Sequence, residues 1–152
     1  MKKHTIILAA TFLLFASCNN NSGEPEEKND TAAVLYGWET GLNDSTGKLE
    51  VTRSVEPGPD SLTVTAVLDF LNKKYQHVQL HFIKTSDDTI YLAIPEANYL
   101  TQQMGSTGPQ LYFAYAVYNL TEIPGMHYVN FDFEEGDHAF PGVLNRDSFK
   151  DE

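Results

Sequence analysis

Along the chain, apolar residues recur at two spacings, the period of two that marks strands and the period near 3.6 that marks helices. Ala33–Trp38 and Lys48–Val55 read as a first pair of strands, the second with Leu49 and Val51 on one face. Between them Gly41-Leu42-Asn43-Asp44-Ser45-Thr46-Gly47 is rich in turn formers, and Pro57-Gly58-Pro59 breaks the chain after the second strand. Next, Val64, Val67, Leu68, Leu71 and Tyr75 fall at i, i+3, i+4, i+7 and i+11, with Thr65, Asp69, Asn72 and Lys73 opposite. This is the apolar stripe of a helix, which Asp60 or Ser61 can cap. Val78, Leu80 and Phe82 alternate with Gln79, His81 and Ile83; Ser86-Asp87-Asp88 then turns into Ile90, Leu92 and Ile94. These two runs predict a hairpin.

The pattern is densest from Gly105 to Phe133. Gly105-Ser106-Thr107-Gly108-Pro109 opens a helix, with Ser106 or Thr107 as cap and Pro109 in the first turn, where a missing N–H costs nothing. At about 100° per residue, Phe113, Ala116, Val117 and Leu120 share one side and Tyr112, Tyr115, Tyr118 and Asn119 the other. Pro124-Gly125 stops the helix, and Val129, Phe131 and Phe133 alternate with Asn130 and Asp132 as in a half-buried strand. The order ββαββαβ predicts an α+β domain of two layers, with both helices on one face of a mixed or antiparallel sheet of about five strands. If the hairpin and the last strand are neighbours, the opposite face carries Gln79, His81, Tyr91, Tyr128, Asn130 and Asp132.

The N-terminal stretch leaves the fold argument. Lys2 and Lys3 precede the apolar run Ile6–Phe15, which is too short to span a bilayer as a mature helix. Phe15-Ala16-Ser17-Cys18 then resembles the lipobox of bacterial lipoproteins, with Phe15 where Leu is usual. The resemblance implies a signal peptide over residues 1–17, cleavage before Cys18, and acylation of that cysteine by diacylglycerol and a further chain such as palmitate. The other reading is an ordinary signal peptide with a chance cysteine. Cys18 is the only cysteine, so no internal disulfide competes for it. Residues 18–31 are polar, acidic and aperiodic, a flexible tether, and residues 32–152 form one domain with a C-terminal tail. Neither Asn19 nor Asn20 is an aspartate, so in a cell with two membranes the expectation is the outer one, on its periplasmic or surface side.

Charge narrows the partners. The chain carries a net charge of −11, and loss of Lys2 and Lys3 would make it more acidic still. Nucleic acid would demand a basic footprint, so it is excluded as a partner. An anionic lipid surface would be repelled, leaving membrane attachment to the acyl chains.

Several features invite chemistry. Asp132-Phe133-Glu134-Glu135-Gly136-Asp137-His138 gathers carboxylates and an imidazole, and a hard cation wants six to eight oxygens. The spacing is not that of a helix-loop-helix calcium loop, no His-Glu-x-x-His occurs, and zinc would need more nitrogen or sulfur. The competing reading is a solvated acidic turn, and no metal or other cofactor is expected. His77, His81, His127 and His138 stand in no nucleophile motif, and Gly-x-Ser-x-Gly is absent. Gly105-Ser106-Thr107-Gly108 lacks the lysine and spacing of a phosphate loop and reads as a cap. Tyr112, Tyr115 and Tyr118 could form a partner surface, since tyrosines offer large area at low entropy cost; alternatively the tail covers them. Asp30-Thr31-Ala32, Asp44-Ser45-Thr46, Asp60-Ser61-Leu62 and Asp88-Thr89-Ile90 resemble a short O-glycosylation pattern, with Thr31 and Ser45 the expected acceptors.

Leu120-Thr121-Glu122-Ile123-Pro124-Gly125, between a helix that follows a Gly-Ser-Thr-Gly loop and an alternating strand, resembles the C-terminal half of the GerM-type (GerMN) sporulation and spore-germination domain. The first helix and the hairpin fit its earlier half, so the resemblance spans roughly Ala33 to Phe133. The tail Glu134–Glu152 departs from it. The resemblance implies an extracytoplasmic, often lipid-anchored envelope module without an established catalytic set. The expected function is therefore non-enzymatic: binding of an envelope protein, peptide or glycan, with His81, Tyr91, Tyr128, Asn130 and Asp132 as ligand residues. Two rivals are a small hydrolase or metal-dependent enzyme built on Asp132–His138, and an accessory subunit docking through Tyr112, Tyr115 and Tyr118.

Overall fold

The computed structural model describes residues 37–54 and 62–150. Cys18, the tether, Thr31, most of the expected strand Ala33–Trp38, and Asp60 and Ser61 lie outside the described residues. The chain is an α+β domain, and its departures from the expected layout explain what its central helix is for.

Strand β1 (Trp38–Leu42) pairs antiparallel with β2 (Leu49–Arg53), with Thr40 opposite Val51. The link closes on Asn43, whose side-chain oxygen accepts hydrogen bonds from Ser45 N, Thr46 N and Thr46 Oγ1, while Gly47 takes φ +69°. Helix α1 (Val64–Lys74) buries Val67, Leu68 and Leu71, as its stripe predicts. Its cap is Thr63, whose hydroxyl accepts from Ala66 N at 3.2 Å.

Val78 and Leu80 are buried, but they lie in the link before β3 (His81–Ser86). Two side chains hold that link to α1. Asn72 accepts from Leu80 N at 2.8 Å and donates to Leu80 O at 3.0 Å, and Gln79 Nε2 reaches the carbonyls of Asn72 and Gln76. Gln79 thus satisfies open carbonyls at the helix end and does not join the outer sheet face. A two-residue turn, with Asp87 at φ 54°, leads from β3 into β4 (Thr89–Ala93). A π-helical turn (Tyr99–Gln103) and helix α2 (Gly108–Leu120) then return the chain to β5 (Tyr128–Asp132), which runs parallel to β4. Strand β6 (Gly142–Leu144) adds on antiparallel, and a 3-10 turn (Arg146–Phe149) comes after it.

The main sheet therefore has four strands in the order β3-β4-β5-β6, and β1-β2 is a separate sheet. The expected single sheet of about five strands is corrected: β6 comes from the tail, and β1-β2 packs elsewhere. One face of the main sheet buries Ile90, Leu92, Val129 and Phe131 beneath the helices, with Phe113 of α2 at 4.8 Å from Phe131. The β1-β2 hairpin lies against another side of α2, where Thr40 Oγ1 donates to Leu111 O and Trp38 packs edge-on against Tyr118 at 4.8 Å. Helix α2 is thus enclosed, burying tyrosines as well as its Phe113, Ala116, Val117 and Leu120 side.

Candidate functional site

The enclosure of α2 decides the tyrosine question. Tyr112 and Tyr115 are each 1% exposed, so they offer no partner surface, and the accessory-subunit reading is corrected. Nor does the tail cover all three. Tyr75 at the end of α1 meets Tyr112 and Tyr115 edge-on at 4.9 and 5.6 Å, and Lys74, paired with Glu39 of β1, stands 3.9 Å over the Tyr115 ring. Half-buried Tyr118 meets the described part of the tail, through Phe149 and Arg146. Burial pushes the Tyr112 and Tyr115 hydroxyls well above the ordinary tyrosine value; Tyr75 adds to the shift at Tyr112 and Glu39 to that at Tyr115.

The turn after α2 is a polar hub. Glu122 Oε1 accepts from Trp38 Nε1 at 2.8 Å, Arg53 Nη2 at 2.8 Å and Arg146 Nη2 at 2.6 Å, tying β1, β2 and the C-terminal turn to one carboxylate. Arg146 also donates from Nε to Thr121 Oγ1 and from Nη2 to Tyr118 O. Burial pushes the Glu122 carboxyl up, but the hydrogen bonds of Trp38 and Arg146 and the charges of Arg146 and Arg53 outweigh it and hold it below the ordinary value. Gly125, at φ +82°, supplies the left-handed residue of this turn. Leu120-Thr121-Glu122-Ile123-Pro124-Gly125 is therefore a joint between the hairpin, α2 and the tail.

The acidic run does not assemble a metal centre. Among the described residues no group of three or more His, Cys, Asp or Glu is placed to hold a metal ion. The run is strapped to the π-helical turn: His138 N donates to Thr101 O, and Gln102, once its amide is turned so that nitrogen and oxygen exchange places, makes two hydrogen bonds with Asp137, at 3.0 and 3.2 Å. A Cβ at Gly136 would stand 2.6 Å from the Gln102 side chain and 2.7 Å from Thr101, so close packing requires glycine there. At the start of α2, Thr107 has helical angles and makes no side-chain cap bond, so capping by Ser106 or Thr107 is also corrected. Pro109, which needs no N–H partner, fills the first turn.

The face of the main sheet away from the helices does bring the expected ligand residues together. Residues directly opposite on adjacent strands point to the same side of a sheet, and the register sets out three rows. One contains His81, Ala93 and Asp132; the next contains Lys84, Tyr91, Asn130 and Val143; the third contains Ser86, Thr89 and Tyr128. Rows two residues apart along a strand are separated by about 7 Å and strands by about 4.8 Å. Tyr91 carries Lys84 Nζ at 4.8 Å from its ring centre. Val143 is 54% exposed and Tyr128 38%, so apolar surface lies open beside the amide and the charges.

At the Tyr128 end the face runs into a cavity of about 410 Å³, lined by Thr121, His127, Tyr128, Asn145, Arg146 and Asp147. Sequence reasoning found Tyr128 but missed Asn145, Arg146 and Asp147, because only the fold brings the tail beside β5. Searches of protein-family models, curated proteins and solved structures return no match to the chain.

Proposed function

We propose that this protein is a lipid-anchored, GerM-like binding module of the cell envelope, holding another envelope component on the open face of its four-stranded sheet. The observation that carries the reading is the set of three in-register rows, in which aromatic rings, an amide and charges of both signs lie uncovered by any described element. The Phe15-Ala16-Ser17-Cys18 segment supports attachment by lipid at Cys18, and the acidic chain leaves adhesion to that lipid. The module works by contact: a rigid sheet presents preformed side chains, so little ordering entropy opposes binding.

The test has two arms. Wild-type protein should take up labelled palmitate and partition into the detergent phase on cloud-point extraction, and Cys18→Ala should lose both. Purified Cys18→Ala protein should co-sediment with isolated envelopes, and adding Tyr91→Ala and Asn130→Ala should abolish this without lowering the melting temperature. Retained co-sedimentation in that variant would remove the sheet face from the reading. Unchanged detergent-phase partitioning of Cys18→Ala would remove the anchor.

A further inference from the structure

We infer that the cavity between the end of α2, the start of β5 and the C-terminal 3-10 turn is a subsite for an uncharged, hydroxyl-rich ligand, a short stretch of neutral glycan. The inference rests on the binding-module reading above and gives its ligand a chemical class.

The lining is built before any ligand arrives. Arg146 is fixed through Nε to Thr121 and through Nη2 to Tyr118 O and Glu122, and Nη1 has no protein partner among the described residues. Asn145 uses its side-chain oxygen to accept from Ser148 N and Oγ, which leaves Nδ2 as a donor. His127, a lining residue, is tied by its backbone N–H to Asp88 O. Tyr128 adds an exposed ring and a hydroxyl, and Asp147 a carboxylate acceptor. A pocket of this size with a few convergent polar groups suits a small ligand.

The charges choose among ligands. The lining carries one cation and one anion, Arg146 and Asp147, and each is already paired, Arg146 with a Glu122 that Arg53 shares and Asp147 with Lys150, so the lining itself holds no surplus positive charge for an anion. The whole chain, at −11, repels anions further. A cation would meet the Arg146 guanidinium and the Asn145 amide donors. An extended peptide binds most readily by pairing with an open strand edge, but β5 is already paired on both sides, to β4 and β6. What remains is a ligand that takes and gives hydrogen bonds without charge and lays an apolar face on an aromatic ring. A pyranose does both, and Tyr128 offers the ring while its tip stays wet. Tyr128 also belongs to the row of Ser86 and Thr89, so a longer chain would continue from the cavity onto the sheet face.

The site carries its own reporter. Trp38 is the only tryptophan, its indole N–H is bonded to Glu122, and the Arg146 guanidinium lies 5.0 Å from its ring. A ligand that engages Arg146 changes the surroundings of Trp38.

The experiment titrates Cys18→Ala protein with N,N′-diacetylchitobiose and with cellobiose, following Trp38 emission and the amide chemical shifts of residues 127–128 and 145–147. Inorganic phosphate and a neutral tetrapeptide serve as competing probes. We expect saturable binding of at least one disaccharide, with half-saturation on the order of 1 mM. Asn145→Asp keeps the oxygen that caps Ser148 but loses the Nδ2 donor, so it should bind about tenfold more weakly, the worth of one hydrogen bond. Tyr128→Ala should lose the response with an unchanged melting temperature. Three results would overturn the inference: no saturable change with either disaccharide by either readout, tighter binding of phosphate or peptide than of both sugars, or wild-type affinity in both variants. If the sugars fail while Tyr91→Ala with Asn130→Ala still abolishes envelope co-sedimentation, the glycan subsite is wrong and the binding module stands. If that co-sedimentation is also unaffected, both fall.

Discussion

The four-stranded sheet and the two-stranded hairpin lie against different sides of α2, and they hold it by different means. The sheet contributes Ile90, Leu92, Val129 and Phe131, each no more than 1% exposed. Burying side chains of this size stabilises by about 1.5–3 kcal/mol each. From β1 and β2 no side chain enters the buried core; Leu49 and Val51 pack only partly against it. What fastens the hairpin is polar: Trp38 and Arg53 to Glu122, Glu39 to Lys74, Thr40 to the Leu111 carbonyl, and Asn119 to the Trp38 carbonyl. Such bonds contribute about 0.5–1.5 kcal/mol each, since water competes for every partner. Tyr112 Oη, Tyr115 Oη and Asn119 Oδ1 also lie buried without a hydrogen-bond partner among the described residues, all on the tyrosine side of α2. The helix therefore has a firm side and a side whose hold depends on a few directional contacts.

Two substitutions would break this contrast if it is wrong. Phe131→Ala should cost about 3–5 kcal/mol and unfold the whole domain in one transition, measured by urea denaturation; a loss below about 1 kcal/mol would show that the sheet is not the firm side. Glu122→Gln should cost less, about 1–2 kcal/mol, because both arginines remain partly in water and their ion pairs are discounted accordingly. Hydrogen exchange should speed up in β1 and β2 while β4 and β5 stay protected. Equal acceleration in both sheets would mean the hairpin is not held separately.

The same contrast has a signature in pH. Glu122 is held below its ordinary value of 4.5, so its contribution is complete above that pH and is lost as pH falls through the lower folded value. Exchange in the hairpin should therefore accelerate on acidification, and Glu122→Gln should flatten that response. The two buried tyrosines work in the opposite direction. Their values are raised above 10.0, so unfolded chains lose those protons first and stability falls as pH rises past that point. Tyrosinate absorbance should show a late, cooperative step coincident with loss of far-ultraviolet ellipticity. The smallest effect belongs to the open face: Asn130→Ala should change stability by no more than about 0.5 kcal/mol, and a larger loss would mean that something packs there.

Local pattern carried the firm side of the molecule well. The stripe of Val67, Leu68 and Leu71, and the alternation through Ile90, Leu92, Val129 and Phe131, state directly which faces are buried. The same alternation puts His81, Tyr91, Tyr128, Asn130 and Asp132 on one face when β4 and β5 are neighbours. The polar side was not legible in this way. Leu49 and Val51 alternate identically whether their strand joins a sheet or lies on a helix, so alternation alone does not assign the β1-β2 hairpin to a layer. Tyr112 and Tyr115 are amphipathic, and their spacing alone does not say whether a partner or the protein itself covers them. Gly142–Leu144 is too short to show a period, so nothing in the pattern places the tail residues Asn145, Arg146 and Asp147 beside β5.

Strand β3 raises one more consequence. All six of its residues are exposed, it forms one rim of the sheet, and Phe82 and Ile83 are 52% and 49% exposed. A flat rim of this kind would invite another molecule to add a strand and begin a growing stack. The irregularity in pairing between Phe82 and Lys84 bends the rim, and Lys84 places a charge on it. For molecules crowded side by side at high local concentration, these two details favour staying separate over assembling into fibres.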